Sequence, residues 1–339
     1  MLACSTTVAV GMSGSAATHA PRGGRPSALL SGGEGGEYPD AVVGFFCQDP
    51  YVSDLLVAHL REAYLRRLGL QAEAPSAAAL HELHRRHTEL VPYETLWIHG
   101  GEAWGIDPQA AATRIALHGR GGYCYHLNGA FGLLLASLGY DVRRHVGGVH
   151  GPEGPRPRTL GNHLVLTVGG LPTDDNLGGT WYVDVGLGDA LHQPMPLAAG
   201  SSRQGPFRLE LAELEDGWQL QHDPAGGFAG MVWSRAAVEG WGAFTGQHEH
   251  LSTSPDSGFV KIGMAQTRDA AGVDVVRGLI LMRIGSHPRF QELSGRAAWF
   301  GALHDLFGLR FDASPAGTAD RLWQRTLDNH RAWDAAGRP

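Results

Sequence analysis

The sequence predicts an α+β protein, and three observations carry the prediction. Apolar residues recur at helical spacing from Tyr51 to Leu138, the period shortens towards two beyond Tyr140, and helical spacing returns near the C-terminus. At 339 residues, 43% hydrophobic and 18% charged, the chain has ordinary globular composition and length for two or three sub-domains.

Residues 1–45 are rich in Gly, Ser and Ala, include Pro21 and Pro26, and hold few large apolar side chains. They cannot bury enough surface to offset ordering entropy and are expected to form a disordered tail. From Tyr51 the pattern changes: Leu55, Leu56, Leu60, Tyr64, Leu65 and Leu68 share one helical face, and Gly69 marks its end. Pro75-Ser76 opens a second helix with Leu80, Leu83 and Leu90 on its apolar face, and Pro92 stops it. Asp107 as N-cap, Pro108 at the first position and Gly119 past the end frame a third. A fourth begins after Gly121-Gly122 and runs to Leu138, where Gly139 supplies the stop. Residues 46–139 therefore read as a helical bundle.

Candidate strands follow at Val142–Val149, His163–Val168, Trp181–Val185, Phe207–Leu214 and Trp218–His222, the last two joined by the turn Glu215-Asp216-Gly217. Strands this short and frequent predict an antiparallel sheet or small barrel over residues 140–240. The segments 151–159 and 169–180 read as loops, and 234–250 shows no decisive period. In residues 241–339, Phe259–Thr267 and Val273–Arg283 read as a strand pair across Arg268–Gly272, with helices at 289–307 and 318–334.

Charge excludes some functions. A net charge of −7, with Lys261 the only lysine, offers no footprint for nucleic acid or an anionic membrane, and no stretch is apolar enough to span a bilayer. Three cysteines, Cys4, Cys47 and Cys124, imply no disulfide framework. No basic residue precedes the weak N-terminal apolar run, so no secretory signal is expected and a reducing cytoplasmic location is the default.

The chemistry centres on Arg120-Gly121-Gly122-Tyr123-Cys124-Tyr125-His126. A cysteine in the first turn of a helix meets the positive end of the helix dipole, which favours the nucleophilic thiolate, and Arg120 would add to that bias. A sulfur nucleophile needs a base and a group that orients the base. His163, at the start of a strand after Gly161-Asn162, and Asp184, inside the apolar strand Trp181–Val185 and followed by Gly186 and Gly188, supply candidates. Singly these signals are weak: a lone cysteine by an apolar helix is more often a core residue, and His163 is one of 18 histidines. Their co-occurrence carries the reading. The histidines around the site (His118, His126, His145, His150, His163) show no metal-ligand spacing, so no metal is expected. The glycine-rich runs at 146–152 and 169–179 lack phosphate-loop context.

Three segments, Arg120-Gly121-Gly122-Tyr123-Cys124, Asn162-His163 and Val183-Asp184-Val185-Gly186-Leu187-Gly188, together resemble the arylamine N-acetyltransferase family. Leu80–His87 leading into Val91-Pro92-Tyr93-Glu94-Thr95-Leu96 is similar to its N-terminal helix and following motif, and Leu251–Ser257 with the strand to Arg268 resembles its lid segment. The resemblance covers roughly residues 50 to 310. It implies a helical bundle, a central β-barrel and a C-terminal α/β lid. It also implies Cys124 as acyl-accepting nucleophile, His163 as base and Asp184 as its orienter, in a ping-pong transfer from a thioester to an amine. The backbone N–H groups of Cys124 and Tyr125 are candidate oxyanion donors. Arg120 and Glu94 match a structural ion pair, and Tyr93, His126 and Leu187 fall at substrate-pocket positions.

The implied co-substrate is acetyl-CoA or another acyl thioester, with no tightly bound cofactor, and the implied acceptor is a small-molecule amine. His126 stands where the family commonly has an acid, Thr95 where its motif has asparagine, and Leu187 where a phenylalanine lines the amine site. Losing that ring removes a stacking partner for a flat arylamine unless another aromatic fills in. An amide synthase taking a longer acyl chain from CoA or an acyl carrier protein is therefore the alternative. A thiol hydrolase is less favoured, since the Cys-Gly-x-Cys-Trp signature of papain-like enzymes is missing. In a non-catalytic binding module, Cys124 would be buried and inert to alkylating reagents.

Overall fold

Helices α1 (Pro50–Leu68), α2 (Ala77–Leu90), α3 (Leu96–Gly100), α4 (Pro108–His118) and α5 (Cys124–Ser137) come first among the described residues, with the two-residue strand β1 (Tyr93–Glu94) between α2 and α3. The structure, a computed structural model, describes residues 50–337 and side chains from residue 58. The tail expected at residues 1–45, Cys4, Cys47 and the side chains of Leu55 and Leu56 lie outside the described residues.

Local chemistry sets the helix ends. Ser76 accepts from Ala79 N–H at 3.1 Å, and Asp107 accepts from Ala110 N–H at 2.7 Å with Pro108 at the first position. Each cap contributes about 1 kcal/mol. α4 ends in a left-handed Gly119. The short helix α3 departs from the sequence expectation. Tyr64 and Leu68 of α1, Leu80 and Leu83 of α2 and Ile115 of α4 close on Leu127, Phe131, Leu134 and Leu135 of α5. They also meet Leu166, Val168, Trp181 and Val183 from the sheet beyond. α5 is thus apolar on most sides and is held as the core helix of this layer.

Eight antiparallel strands form a nearly closed barrel in the order β5-β4-β3-β2-β9-β8-β7-β6. They are β2 (Asp141–His150), β3 (His163–Gly169), β4 (Trp181–Val183), β5 (Met195–Pro196), β6 (Gly200–Gln204), β7 (Phe207–Leu214), β8 (Gly217–Gln221) and β9 (Gly230–Ala237). β3 packs Leu166 and Val168 on the helices and Val165 into the barrel core with Leu209, Leu220, Met231 and Trp233. Burial on both faces explains its unbroken apolar run and fixes the position of His163 at its start.

After helices α6 (Gly242–Thr253) and α7 (Gly258–Lys261), a second antiparallel sheet runs β1-β10-β11-β12-β13. Its later strands are β10 (Met264–Asp269), β11 (Gly272–Arg277), β12 (Ile280–Gly285) and β13 (Arg289–Glu292). α8 (Arg296–Phe307) and α9 (Thr318–Ala335) follow; Trp299, Leu303, Phe307 and Leu322 pack on Ala265, Val276 and Leu281.

Several expectations are corrected. Val273–Arg283 is not one strand but two, because Gly278 takes a left-handed φ of 59° and turns the chain back. Phe259–Lys261 is helical, with Ser257 capping Phe259 N–H at 3.2 Å, so the strand begins at Met264. Residues 289–292 pair with β12 as β13, and α8 starts at Arg296. β4 ends at Val183, which places Asp184 beyond the ladder.

Candidate active site

Cys124 is the first residue of α5, and the turn before it depends on glycine. A β-carbon on Gly121 would lie 1.7 Å from the Pro92 carbonyl oxygen, so only glycine lets the backbone pass there. Tyr123 precedes the helix in extended conformation, and its N–H donates to His126 Nδ1 at 3.3 Å. Cys124 is 4% exposed, and its Sγ lies 3.5 Å from the Asn162 carbonyl oxygen. Its own N–H and that of Tyr125, in the first turn, have no acceptor within the helix and carry its positive end.

His163 Nε2 lies 2.7 Å from Asp184 Oδ2, both side chains buried. The carboxylate can only accept, so Nε2 carries the hydrogen and Nδ1 is left for the sulfur. Burial pushes the imidazole down, but the charge of Asp184, then that of Cys124, and hydrogen bonding to both push it further up, to about 10. Asp184 is saturated: Oδ2 also accepts from Tyr182 Oη–H at 3.0 Å, and Oδ1 from Asn128 Nδ2 at 2.8 Å and Gly186 N–H at 2.9 Å. These donors compensate a carboxylate that burial would otherwise penalise. Behind it, Asp184 N–H donates to His84 Nε2 at 3.3 Å while His84 Nδ1–H donates to the His192 carbonyl at 3.2 Å, which fixes a neutral tautomer. Burial pushes His84 down to about 4.

The loop after Asp184 runs flush against the start of α5. A β-carbon on Gly186 would stand 2.8 Å from Cys124 Cα and 2.9 Å from Asn128 Nδ2. Cys124 and His163 open together onto a cavity of about 310 Å³ whose walls include Tyr93, Leu187, Phe228 and Phe259. Leu187 and Tyr93 line this cavity, and Phe228 and Phe259 supply aromatic faces beside the aliphatic Leu187.

His126 does not line this cavity, which corrects its expected place in the substrate pocket. Its ring is fully buried and packs edge-on against Trp97, Trp104 and Tyr123, and Nε2 donates to the Gly105 carbonyl at 3.2 Å. Burial, then the charge of Arg114, pushes it well below the usual histidine range, so it is a neutral packing element. Arg120 and Glu94 form a buried two-point pair at 2.7 and 3.1 Å, and Arg120 also reaches Glu102 at 3.1 Å. Two carboxylates thus meet this guanidinium away from the sulfur's own partners. Among the described residues, the group whose donor atoms converge within 4.8 Å, as a cation would need, is Glu292, His330 and Asp334, and none of these lines the Cys124 cavity.

Sequence reasoning overlooked Asn128, Tyr182, Phe228 and Phe259. Asn128 carried a signal: an amide one helical turn after the nucleophile, in an otherwise apolar helix, is costly unless it has fixed partners. The wall residues carried none: Phe228 falls outside the candidate strands, and Phe259 stands at the start of an expected strand with nothing to mark it for a cavity wall.

A family model described as N-acetyltransferase matches residues 76–315. The arylamine N-acetyltransferase of Mycobacterium tuberculosis (strain ATCC 25618 / H37Rv) is 35% identical over 168 residues, 47% of this chain and 56% of that one. Proansamycin X synthase of Amycolatopsis mediterranei is 34% identical over 166 residues, 47% of this chain and 61% of that protein. The chain thus spans little more than half the length of these curated relatives. The solved structure of Mycobacterium marinum arylamine N-acetyltransferase in complex with CoA matches with a TM-score of 0.68 at 28% identity, covering 78% of this chain and 97% of that one.

Proposed function

Because the chain belongs to the arylamine N-acetyltransferase family, we propose that it transfers an acyl group, foremost acetyl from acetyl-CoA, to an amine through an acyl-cysteine at Cys124. The observation that carries the reading is the 2.7 Å His163–Asp184 contact, with His163 opening onto the same cavity as a cysteine at a helix start.

In the first half-reaction Cys124 Sγ, held as thiolate against the His163 imidazolium, attacks the thioester carbonyl. The oxygen gains charge beside the N–H groups of Cys124 and Tyr125. The C–S bond to the donor breaks, and the departing thiolate takes the proton from His163. In the second, the amine attacks the Cys124 thioester, a C–N bond forms, the C–S bond to Cys124 breaks, and the amine proton passes to His163, restoring the ion pair. Asp184 keeps the ring turned with Nδ1 towards the sulfur. Tyr93, Phe228 and Phe259 offer faces for a flat acceptor in place of the missing ring at Leu187.

Intact mass after incubation with acetyl-CoA tests this. The wild type should gain one acetyl group, lost on adding an amine, and Cys124→Ser should gain none. Label on both proteins, or on neither, rejects Cys124 as acyl carrier. Capture of the acyl group by water at an unchanged rate when amine is added would instead favour a thiol hydrolase. A second reading, the same chemistry on a longer acyl chain, rests on the aliphatic Leu187 in the cavity wall. It predicts faster acylation by long-chain thioesters than by acetyl-CoA.

A further inference from the structure

The Cys124 cavity is one half of a longer trough. In the second sheet, Met264 pairs with Arg277, Gln266 with Val275, Val275 with Met282, Arg277 with Ile280, and Met282 with Phe290. Directly paired residues, and residues two apart on a strand, project from one face. That face therefore carries Gln266, Val275 and Ile284 at one end and Ile280 and Phe290 at the other, with Arg277 and Met282 between. The Cys124 cavity is walled by the first end, and a second cavity of about 320 Å³ by the other, with Thr326, Asn329 and Trp333 of α9 opposite. Arg277 and Met282 line both.

Two polar groups along this trough are unmatched. Thr326 is 3% exposed, yet its buried Oγ1 has no hydrogen-bond partner. Arg277 is exposed and makes no hydrogen bond or ion pair among the described residues. The other arginines of the sheet are all engaged: Arg268 by backbone carbonyls, Arg283 by Asp269 and Asp274, and Arg289 by Asp274. A guanidinium without an acid partner, at the junction of two chambers whose walls are otherwise largely apolar, is built to receive an oxyanion from outside.

Resting on the acyl-transfer reading, we propose that the enzyme's extended substrate carries a carboxylate or phosphate that pairs with Arg277, with its reacting end at Cys124 and an apolar arm in the second chamber against Ile280, Met282, Phe290 and Trp333. Both sources of the oxyanion, a phosphate of the thioester donor and a carboxylate of the amine acceptor, present the same chemistry to Arg277.

Calorimetric binding to the Cys124→Ser protein, with and without Arg277→Gln, tests this without turnover. The probes are coenzyme A against uncharged pantetheine, and 2-alkyl-3-(4-aminophenyl)propanoates, alkanoates whose side arm of increasing length branches beside the carboxylate, against their amides. Loss of about tenfold in the preference for the charged member of the coenzyme A pair supports the proposal and assigns the oxyanion to the donor; the same loss in the alkanoate pair supports it and assigns it to the acceptor. In the alkanoate series each methylene entering the chamber should tighten binding up to about fourfold, and Phe290→Glu, a change at a 69% exposed position, should abolish that gain. Preferences that move less than twofold in Arg277→Gln, absence of binding by every probe, or affinity independent of chain length overturn it. Failure of the underlying acyl-transfer reading shows separately, as absence of an acetyl adduct on the wild type.

Discussion

Asn128 Nδ2 donates to Asp184 Oδ1 at 2.8 Å and to the Leu164 carbonyl at 2.6 Å, while its Oδ1 accepts from Val185 N–H at 2.9 Å. One amide, a helical turn after Cys124, therefore joins the nucleophile's helix to the residue following His163 and to the acid that holds His163. Three elements distant in sequence are set in register by a side chain that leaves no hydrogen-bonding group unused.

Removing that amide should cost both stability and rate. Asn128→Leu leaves the Val185 N–H and the Leu164 carbonyl buried without partners, a loss of about 2–4 kcal/mol. Asn128→Asp keeps the shape but sets a second carboxylate against Asp184. Urea denaturation should rank wild type above Asn128→Leu, and kcat should fall in both variants. A variant with wild-type kcat would show that the tie is dispensable for catalysis.

The imidazole at 163, pushed up to about 10, keeps its proton across neutral pH. The sulfur of Cys124 therefore has a charged partner at neutral pH, and His163→Gln, which removes it, should slow alkylation of Cys124 by iodoacetamide about tenfold or more at pH 7. The raised value also links to folding. The stabilisation His163 provides is whole below its unfolded value of about 6.5 and is lost as pH climbs through about 10. Thermal unfolding of the wild type should show a decline over that window that His163→Gln lacks.

His84 gives the opposite slope. Burial pushes it down to about 4, so below about 6.5 the unfolded chain takes up a proton that the folded one refuses, and stability is lost as pH falls towards 4. The full difference is roughly 3 kcal/mol. His84→Gln removes the titration, so its melting temperature should fall less steeply between pH 7 and 4.5 than that of wild type. Parallel curves would place the acid sensitivity elsewhere, for example at the buried His99, which is also pushed down to about 4 by burial.

Legibility in the sequence followed the strength of local rules. The caps at Ser76 and Asp107, the stop at Gly119 and the helix opening at Cys124 were readable because each rests on a few adjacent residues. β3 was readable because both its faces are buried. The turn at Gly278 was hidden inside Val273–Met282, whose apolar residues outnumber Asp274 and Arg277, so that a buried strand and a buried hairpin look alike. β6, Gly-Ser-Ser-Arg-Gln, has no apolar alternation because it is an edge strand, and β1 is too short to show a period. At the site, residue types pointed to Cys124, His163 and Asp184, whereas the trough could not be foreseen. Its walls depend on which face of β11 and β12 turns towards α9, a matter of register that only the folded sheet decides.

The ion pair between Arg120 and Glu94 shows how the scaffold tolerates charge in its core. Arg120 is 4% exposed and Glu94 fully buried, with Glu102 a second carboxylate on the guanidinium and Trp104 and Phe311 flanking it at 4.9 and 4.7 Å. Glu94 lies on β1, whose backbone binds Gly122, so the pair fastens the turn that delivers Cys124 to its helix. Glu94→Gln removes the two-point partner and leaves the guanidinium to Glu102 alone, and should cost about 1–3 kcal/mol. Arg120→Met with Glu94→Leu removes both charges and should cost less than either single change. Urea midpoints of Glu94→Gln, Arg120→Met and the double variant give the comparison, and a double variant weaker than both singles would mean that the charges themselves, and not the filled volume, hold this turn together.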